Sequence, residues 1–127
     1  LGTRIAFAAA EVFSGADYSQ ALRVRRTLHD SLSELYADVD VVLSPTGHGV
    51  APPLDSLSGL NPLSVPASMH TPYWSSIGCP VLAVPIGVAA SGLPLSASVA
   101  GRWWDESTVL QVGDALQRRI GPLTVPA

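Results

Sequence analysis

From Val41 through Gly101, a run of sixty-one positions, the only residue with a permanent charge is Asp55. Every other carboxylate or guanidinium falls before Val41 or after Gly101. An average soluble domain is roughly a quarter charged, so a stretch this bare is a poor solvent-facing surface. It is equally poor as a membrane span, because Pro, Gly, Ser and Asn interrupt it before ~18 apolar residues accumulate. It reads as the buried middle of a protein that lives in water. The whole chain has 127 residues, a length that suits one domain, and only 13% of them are charged. A chain this short leaves about a third of its extended surface in water. Either that surface is unusually bland, or something outside this sequence covers part of it.

The flanks are easier to read. Residues Thr3 to Phe13 are Ala-rich and predict a short helix. Ser14-Gly15-Ala16-Asp17 has capping-box form, with Asp in place of the usual Glu or Gln. A long helix follows to about Tyr36, with Ala21, Val24, Leu28, Leu32 and Leu35 as its expected buried stripe. Arg23, Arg26, Asp30 and Glu34 are left for its wet side. At the other end Asp105 is placed to cap a last helix. Val109, Leu110, Val112, Gly113, Leu116 and Ile120 form its stripe, Arg118 and Arg119 suit its dipole, and Gly121-Pro122 stops it.

Within the bare middle, Asp40 to Ser44 reads as a strand that Pro45 ends. The turn-rich residues from there to Pro66 read as a long ordered loop lying over other protein. Thr71-Pro72 is a helix-start pair, and the helix ends by Gly78. Pro80 to Gly87 is an apolar strand of the kind covered on both faces, with Pro85 implying a bulge or a ladder gap. Leu93 to Gly101 is a second strand, and the short link between them favours an antiparallel hairpin. The order predicts an α/β layer architecture, a mixed sheet with flanking helices.

Chemistry is sparse. Net charge is −3 with no basic stripe beyond Arg23, Arg25 and Arg26, which argues against a nucleic-acid partner. Nothing points to a membrane partner. One cysteine, Cys79, excludes an internal disulfide and fits a reducing compartment; with no signal-peptide pattern at the start, a cytoplasmic location is expected. Cys79 is expected to be a small core residue. His48 and His70 are candidate catalytic groups on loops, His29 is expected at the surface of its helix, and no G-x-S-x-G nucleophile elbow accompanies them. The three histidines lack metal-ligand spacing and no phosphate-cradling glycine motif occurs, so no metal and no cofactor are expected. Trp103-Trp104 is either a stacking pair for a ligand or a cap on the core edge. All seven basic residues are Arg; there is no lysine.

Four segments in order resemble the C-terminal part of the amidase signature family of serine amidohydrolases. They are Asp17-Tyr18-Ser19-Gln20-Ala21 with Arg26, and Asp38 to Thr46 (DVDVVLSPT) with Ala51-Pro52. Gly78 to Gly87 (GCPVLAVPIG) with Gly92-Leu93-Pro94-Leu95 comes next, and Gly101 to Glu106 (GRWWDE) closes the series. The resemblance covers essentially the whole chain. It implies that residues 1–127 are one partial domain, belonging to a larger α/β/α amidase-type sandwich. In that family a Ser–cis-Ser–Lys triad in an earlier portion cleaves carboxylic amides. Neither its Gly/Ser-rich tract nor any lysine occurs here, so the isolated chain is expected to hold no catalytic residue and to be inactive.

The resemblance further implies that Trp74 and Ser75 wall a pocket for a small-molecule amide. At two positions this chain has a shorter polar arm than the family: Ser75 where Asn is frequent, and Ser98 where Gln is common. The implied partner is the missing N-terminal portion of the same enzyme or, failing that, a second copy. A non-catalytic truncated oligomerising or binding module is the alternative, and a self-contained hydrolase using His48 or His70 is a third reading.

Overall fold

A computed structural model describes residues 2–57 and 69–123 of the chain. Helix α1 (Gly2–Ala10) is followed by α2 (Gly15–Asp38), strand β1 (Val41–Pro45) and a 3-10 turn at Leu54–Leu57. Then come α3 (Thr71–Ile77), β2 (Val81–Val88), β3 (Pro94–Gly101) and α4 (Glu106–Ile120). The part of the long loop between 58 and 68 lies outside the described residues.

The three strands among the described residues form one sheet in the order β1-β3-β2, antiparallel at both junctions. The last strand in sequence is therefore the central one. The hairpin is the predicted one, and its register slips between Pro85 and Gly87. Proline has no N–H for the ladder, so the slip falls where the sheet would otherwise lose a bond.

Alternation along the strands divides the sheet into two faces. Val84 and Val99 point to α4, where they and Val109 form the buried core, joined by Val41, Leu82, Val112 and Leu116. Gly101 and Gly113 let strand and helix approach closely. A Cβ on Gly101 would collide with the Val109 side chain, and one on Gly113 with that of Leu82. On the other face, Val81, Ala83 and Ser98 look toward α3. The architecture is α/β with helices on the sheet, as expected.

Several helix details are as the local sequence dictates. Ser14 Oγ accepts from the Asp17 N–H, and the Asp17 carboxylate accepts from the Ser14 N–H at 2.8 Å, closing the capping box. The Ser14 hydroxyl also donates to the Asp17 carboxylate at 2.6 Å, and that bond first, with the Ser14 N–H bond after it, holds the Asp17 carboxyl below the usual carboxylate range. Asp105 caps α4 by accepting from the Thr108 N–H. Gly121, as C-cap, ends α4 by donating to the Gln117 carbonyl.

Other expectations need correction. The N-cap of α3 is His70, without a side-chain cap bond, and Thr71 is already helical; Pro72 is nevertheless in the first turn. Leu110, placed on the buried stripe of α4, is exposed. The stripe of α2 is largely bare: Val24 is 50% exposed and Leu28 and Leu35 are each 44% exposed. Only Tyr36 is fully buried on that helix. Phe7, Val12, Phe13 and Tyr18 are exposed as well. Val24, Leu28 and Leu35 have the spacing of a core face and stay half-exposed.

The C-terminal end of α2 is tied to the start of the α4 segment by Arg102. Its Nε and Nη2 donate to the Tyr36 carbonyl at 3.0 and 2.6 Å, and Nη2 also donates to Val39 O at 3.1 Å. Its Nη1 pairs with Asp40 at 3.1 Å. A guanidinium suits this place because the last carbonyls of a helix lack intrahelical donors and carry partial negative charge.

Candidate functional site

Helix α3 ends at Gly78, whose positive φ of 80° lets its N–H return to the Trp74 carbonyl at 2.8 Å while the chain turns into β2. A side-chain-bearing residue rarely adopts that conformation. The turn lays the last residues of α3 over the sheet and opens a cleft of about 350 Å³ between them. Trp74 and Ser75, the two pocket residues expected from the sequence, both line it. They are joined by Thr71, Cys79, Ala83 and Ser98.

Each wall residue has a definite state. Trp74 is buried, and its Nε1–H has no acceptor among the described residues. Ser75 donates its hydroxyl to the Thr71 carbonyl at 3.0 Å, the usual resting bond of a helical serine. Ser98 is almost completely buried in the central strand and shares a 3.0 Å hydrogen bond with the Thr46 hydroxyl. Behind the cleft, the Tyr36 hydroxyl is buried and has no partner of good geometry among the described residues. Burial, and then the neighbouring Cys79 thiol, push its pKa up to about 12. Burial also pushes the Cys79 thiol up, which keeps it in the neutral form. Cys79 is half-buried rather than in the core proper.

Thr46 links this cleft to a second one. Its N–H donates to Ser96 O at 3.2 Å, and its carbonyl accepts from the His70 N–H at 3.1 Å. A bridge between Gly47 and Met69 lies alongside. These contacts bring His48 and His70 together, with ring centroids 4.7 Å apart, at the mouth of a second cleft of about 350 Å³ beside Ile86, Leu95 and Ser96. Among the described residues that line that cleft there is no Asp or Glu, the group that orients a histidine as a general base.

His29 is not a free surface group. It stacks on Trp103 at 4.4 Å, and Trp103 meets Tyr36 edge-on at 6.4 Å. Trp103 thus caps the core edge, its indole N–H reaching Ile77 O at 3.4 Å. Trp104 differs: it is 92% exposed and holds φ at 66°, a left-handed conformation uncommon for a side-chain-bearing residue. Among the described residues no group of three or more His, Cys, Asp or Glu is placed to hold a metal, and no helix is long and apolar enough to cross a membrane.

The cleft is thus walled by neutral small residues and one indole, with no acid–base pair inside it. The family model described as Amidase matches residues 3–110. The chain belongs to the amidase family. Among relatives of this family, a fatty acid amide hydrolase from Arabidopsis thaliana is 34% identical over 96% of this chain but only 21% of its own length. A glutamyl-tRNA(Gln) amidotransferase polypeptide from Novosphingobium aromaticivorans is 38% identical over 84% of this chain and 22% of its own. Among solved amidase-type structures, a glutamyl-tRNA(Gln) amidotransferase polypeptide from Thermotoga maritima superimposes with a TM-score of 0.78 at 25% identity. That match covers 98% of this chain and 29% of the other. The chain spans about a fifth of the length of the curated relatives it matches.

Sequence reasoning missed the Thr46–Ser98 bond, the Cys79 and Ala83 walls, and the meeting of the two histidines. The alternation of Ser96 and Ser98 along β3 was a usable signal for the first. Nothing in the sequence signalled the histidine pair, which depends on a loop returning across more than twenty residues.

Proposed function

We propose that this chain is the C-terminal portion of an amidohydrolase, supplying part of the sheet, the outer helices and one wall of the substrate pocket. The Ser–cis-Ser–Lys triad that cleaves the amide then lies outside the chain, and residues 1–127 are one partial domain of the larger sandwich. The observation that carries the reading is the family match over nearly the whole chain, joined to a sequence with no lysine to act in the triad. Trp74 and Ser75 are the substrate-facing residues of the wall, and a small-molecule amide is the ligand. The cytoplasm is the expected setting.

The bare face of α2 supports the need for a cover. Covering a half-exposed Leu or Val gains about 1 kcal/mol, so Val24, Leu28 and Leu35 together represent about 3 kcal/mol, a sizeable share of a domain's stability. The remaining portion of the enzyme is the cover we favour. The same face also favours the second reading, a self-associating module without catalysis.

A fluorophosphonate serine-hydrolase probe separates them. The isolated chain is expected to take up no label and to cleave no amide. Mixing or fusing it with a matching N-terminal amidase portion restores both. Stoichiometric labelling of a serine in the isolated chain refutes the external triad, while a stable, well-folded oligomer by light scattering, indifferent to the N-terminal portion, establishes the module instead.

A further inference from the structure

We propose that the cleft beneath α3 takes an uncharged, largely apolar substituent of the substrate and rejects one bearing a carboxylate or an ammonium group; this rests on the amidohydrolase reading above. One observation carries it, seen at two scales. The first is the composition of the wall: Thr71, Trp74, Ser75, Cys79, Ala83 and Ser98 bring hydroxyls, an indole, a thiol and a methyl, and no ionised group at neutral pH. The Arg25 guanidinium lies beside Gly78, a glycine of the lining, but it is engaged by the Ile77 carbonyl at 3.4 Å and is not itself in the lining. The second is the charge pattern of the chain. Residues 41–101 contain no Lys or Arg, and their one carboxylate, Asp55, is not in the lining either.

The hydroxyls present do not compensate. Ser98 is already bonded to Thr46, and Ser75 donates to its own helix. An ionised group brought against these residues loses its hydration without gaining an opposite charge from them, and that loss is large in a partly buried site. An alkyl or aryl group makes the opposite exchange, releasing water from the Trp74 ring and the Ala83 methyl. Substrate choice at this wall is thus set by the penalty on the wrong partner as much as by contacts to the right one.

The test uses the full-length enzyme that contains this chain and amides matched in length: hexanamide, the same chain with a terminal carboxylate, and the same chain with a terminal ammonium. Hydrolysis is read as kcat/KM from ammonia release. The neutral amide is expected to exceed both charged ones by at least tenfold. An Ala83→Arg variant is expected to shift the ratio by tenfold or more toward the carboxylate substrate, since it sets a guanidinium at the exposed rim of the wall. A preference under tenfold in the parent enzyme, or a carboxylate ratio that Ala83→Arg fails to move, overturns the assignment. If none of the three is cleaved and the fluorophosphonate probe leaves the full-length protein unlabelled, the amidohydrolase reading itself falls, and this assignment with it. If the probe labels the enzyme but only a charged amide is cleaved, the pocket assignment alone is overturned.

Discussion

Gly101 closes the central strand directly beneath Val109 of α4, and a methyl group there tests the packing of the whole core. Built on the Gly101 backbone, a Cβ would overlap Val109 Cγ2, with Asp105 O and Val109 Cβ just beyond. Two effects oppose one another in Gly101→Ala. Replacing glycine in a strand interior removes an entropic handicap of about 0.5–1 kcal/mol. Overpacking a filled core costs about 1–3 kcal/mol. Val109 cannot swing aside, because a β-branched residue in a helix has one strongly preferred χ1 and this one is 3% exposed. The overlap therefore wins, and the variant should lose about 1–2 kcal/mol. Val109→Ala alone should lose about 2 kcal/mol through the cavity it leaves. In the double variant the new methyl occupies part of that cavity. The pair should then lose about 2 kcal/mol rather than the sum of the singles, a coupling of about 1–2 kcal/mol. Urea unfolding of the full-length protein, followed by tryptophan fluorescence, measures all three. A neutral or stabilised Gly101→Ala, or strict additivity in the double variant, refutes the close approach of β3 and α4.

Two further expectations follow from the side chains around α2. Arg102→Ala should lose about 2 kcal/mol, since it strands the Tyr36 and Val39 carbonyls that the guanidinium serves; Arg102→Lys should recover less than half, because an ammonium cannot reproduce the planar fork. Melting temperatures of the three proteins check the ranking. Tyr36 is held protonated in the folded state up to about pH 12 against an ordinary value of 10. Its contribution is thus fully present below pH 10 and is lost as pH rises from 10 toward 12. A stability curve across that window should fall, and Tyr36→Phe should flatten the part of the fall that belongs to this phenol.

What the sequence revealed divides by distance along the chain. The Ser14–Asp17 box, the Asp105 cap and the slip at Pro85 are local, each written within a few residues, and each is present. The hairpin was legible because its link is five residues long. The stripe of α2 was read correctly as apolar spacing and wrongly as buried, because periodicity records which face wants cover and not whether the cover belongs to the same polypeptide. Thr71 looked like a cap by composition, but the bend at His70 falls one residue earlier and already has helical angles. His29 against Trp103, and His48 against His70, are meetings of distant segments that no spacing rule could supply. In the cleft, Trp74 and Ser75 entered through the family resemblance, whereas Ser98 and Ala83 needed the register of β2 on β3 to place them.

The strand order also bears on how the polypeptide leaves the ribosome. Val41 pairs with Gly101, and among the described strands β1 has no other neighbour. Sixty residues must be added after Val41 before Gly101 is in place. At ~5–20 residues per second that is a wait of about 3 to 12 s. Throughout that interval the nascent β1 offers unpaired amides and carbonyls to whatever it meets first, so the order of translation makes this segment the one with most need of a chaperone's shelter.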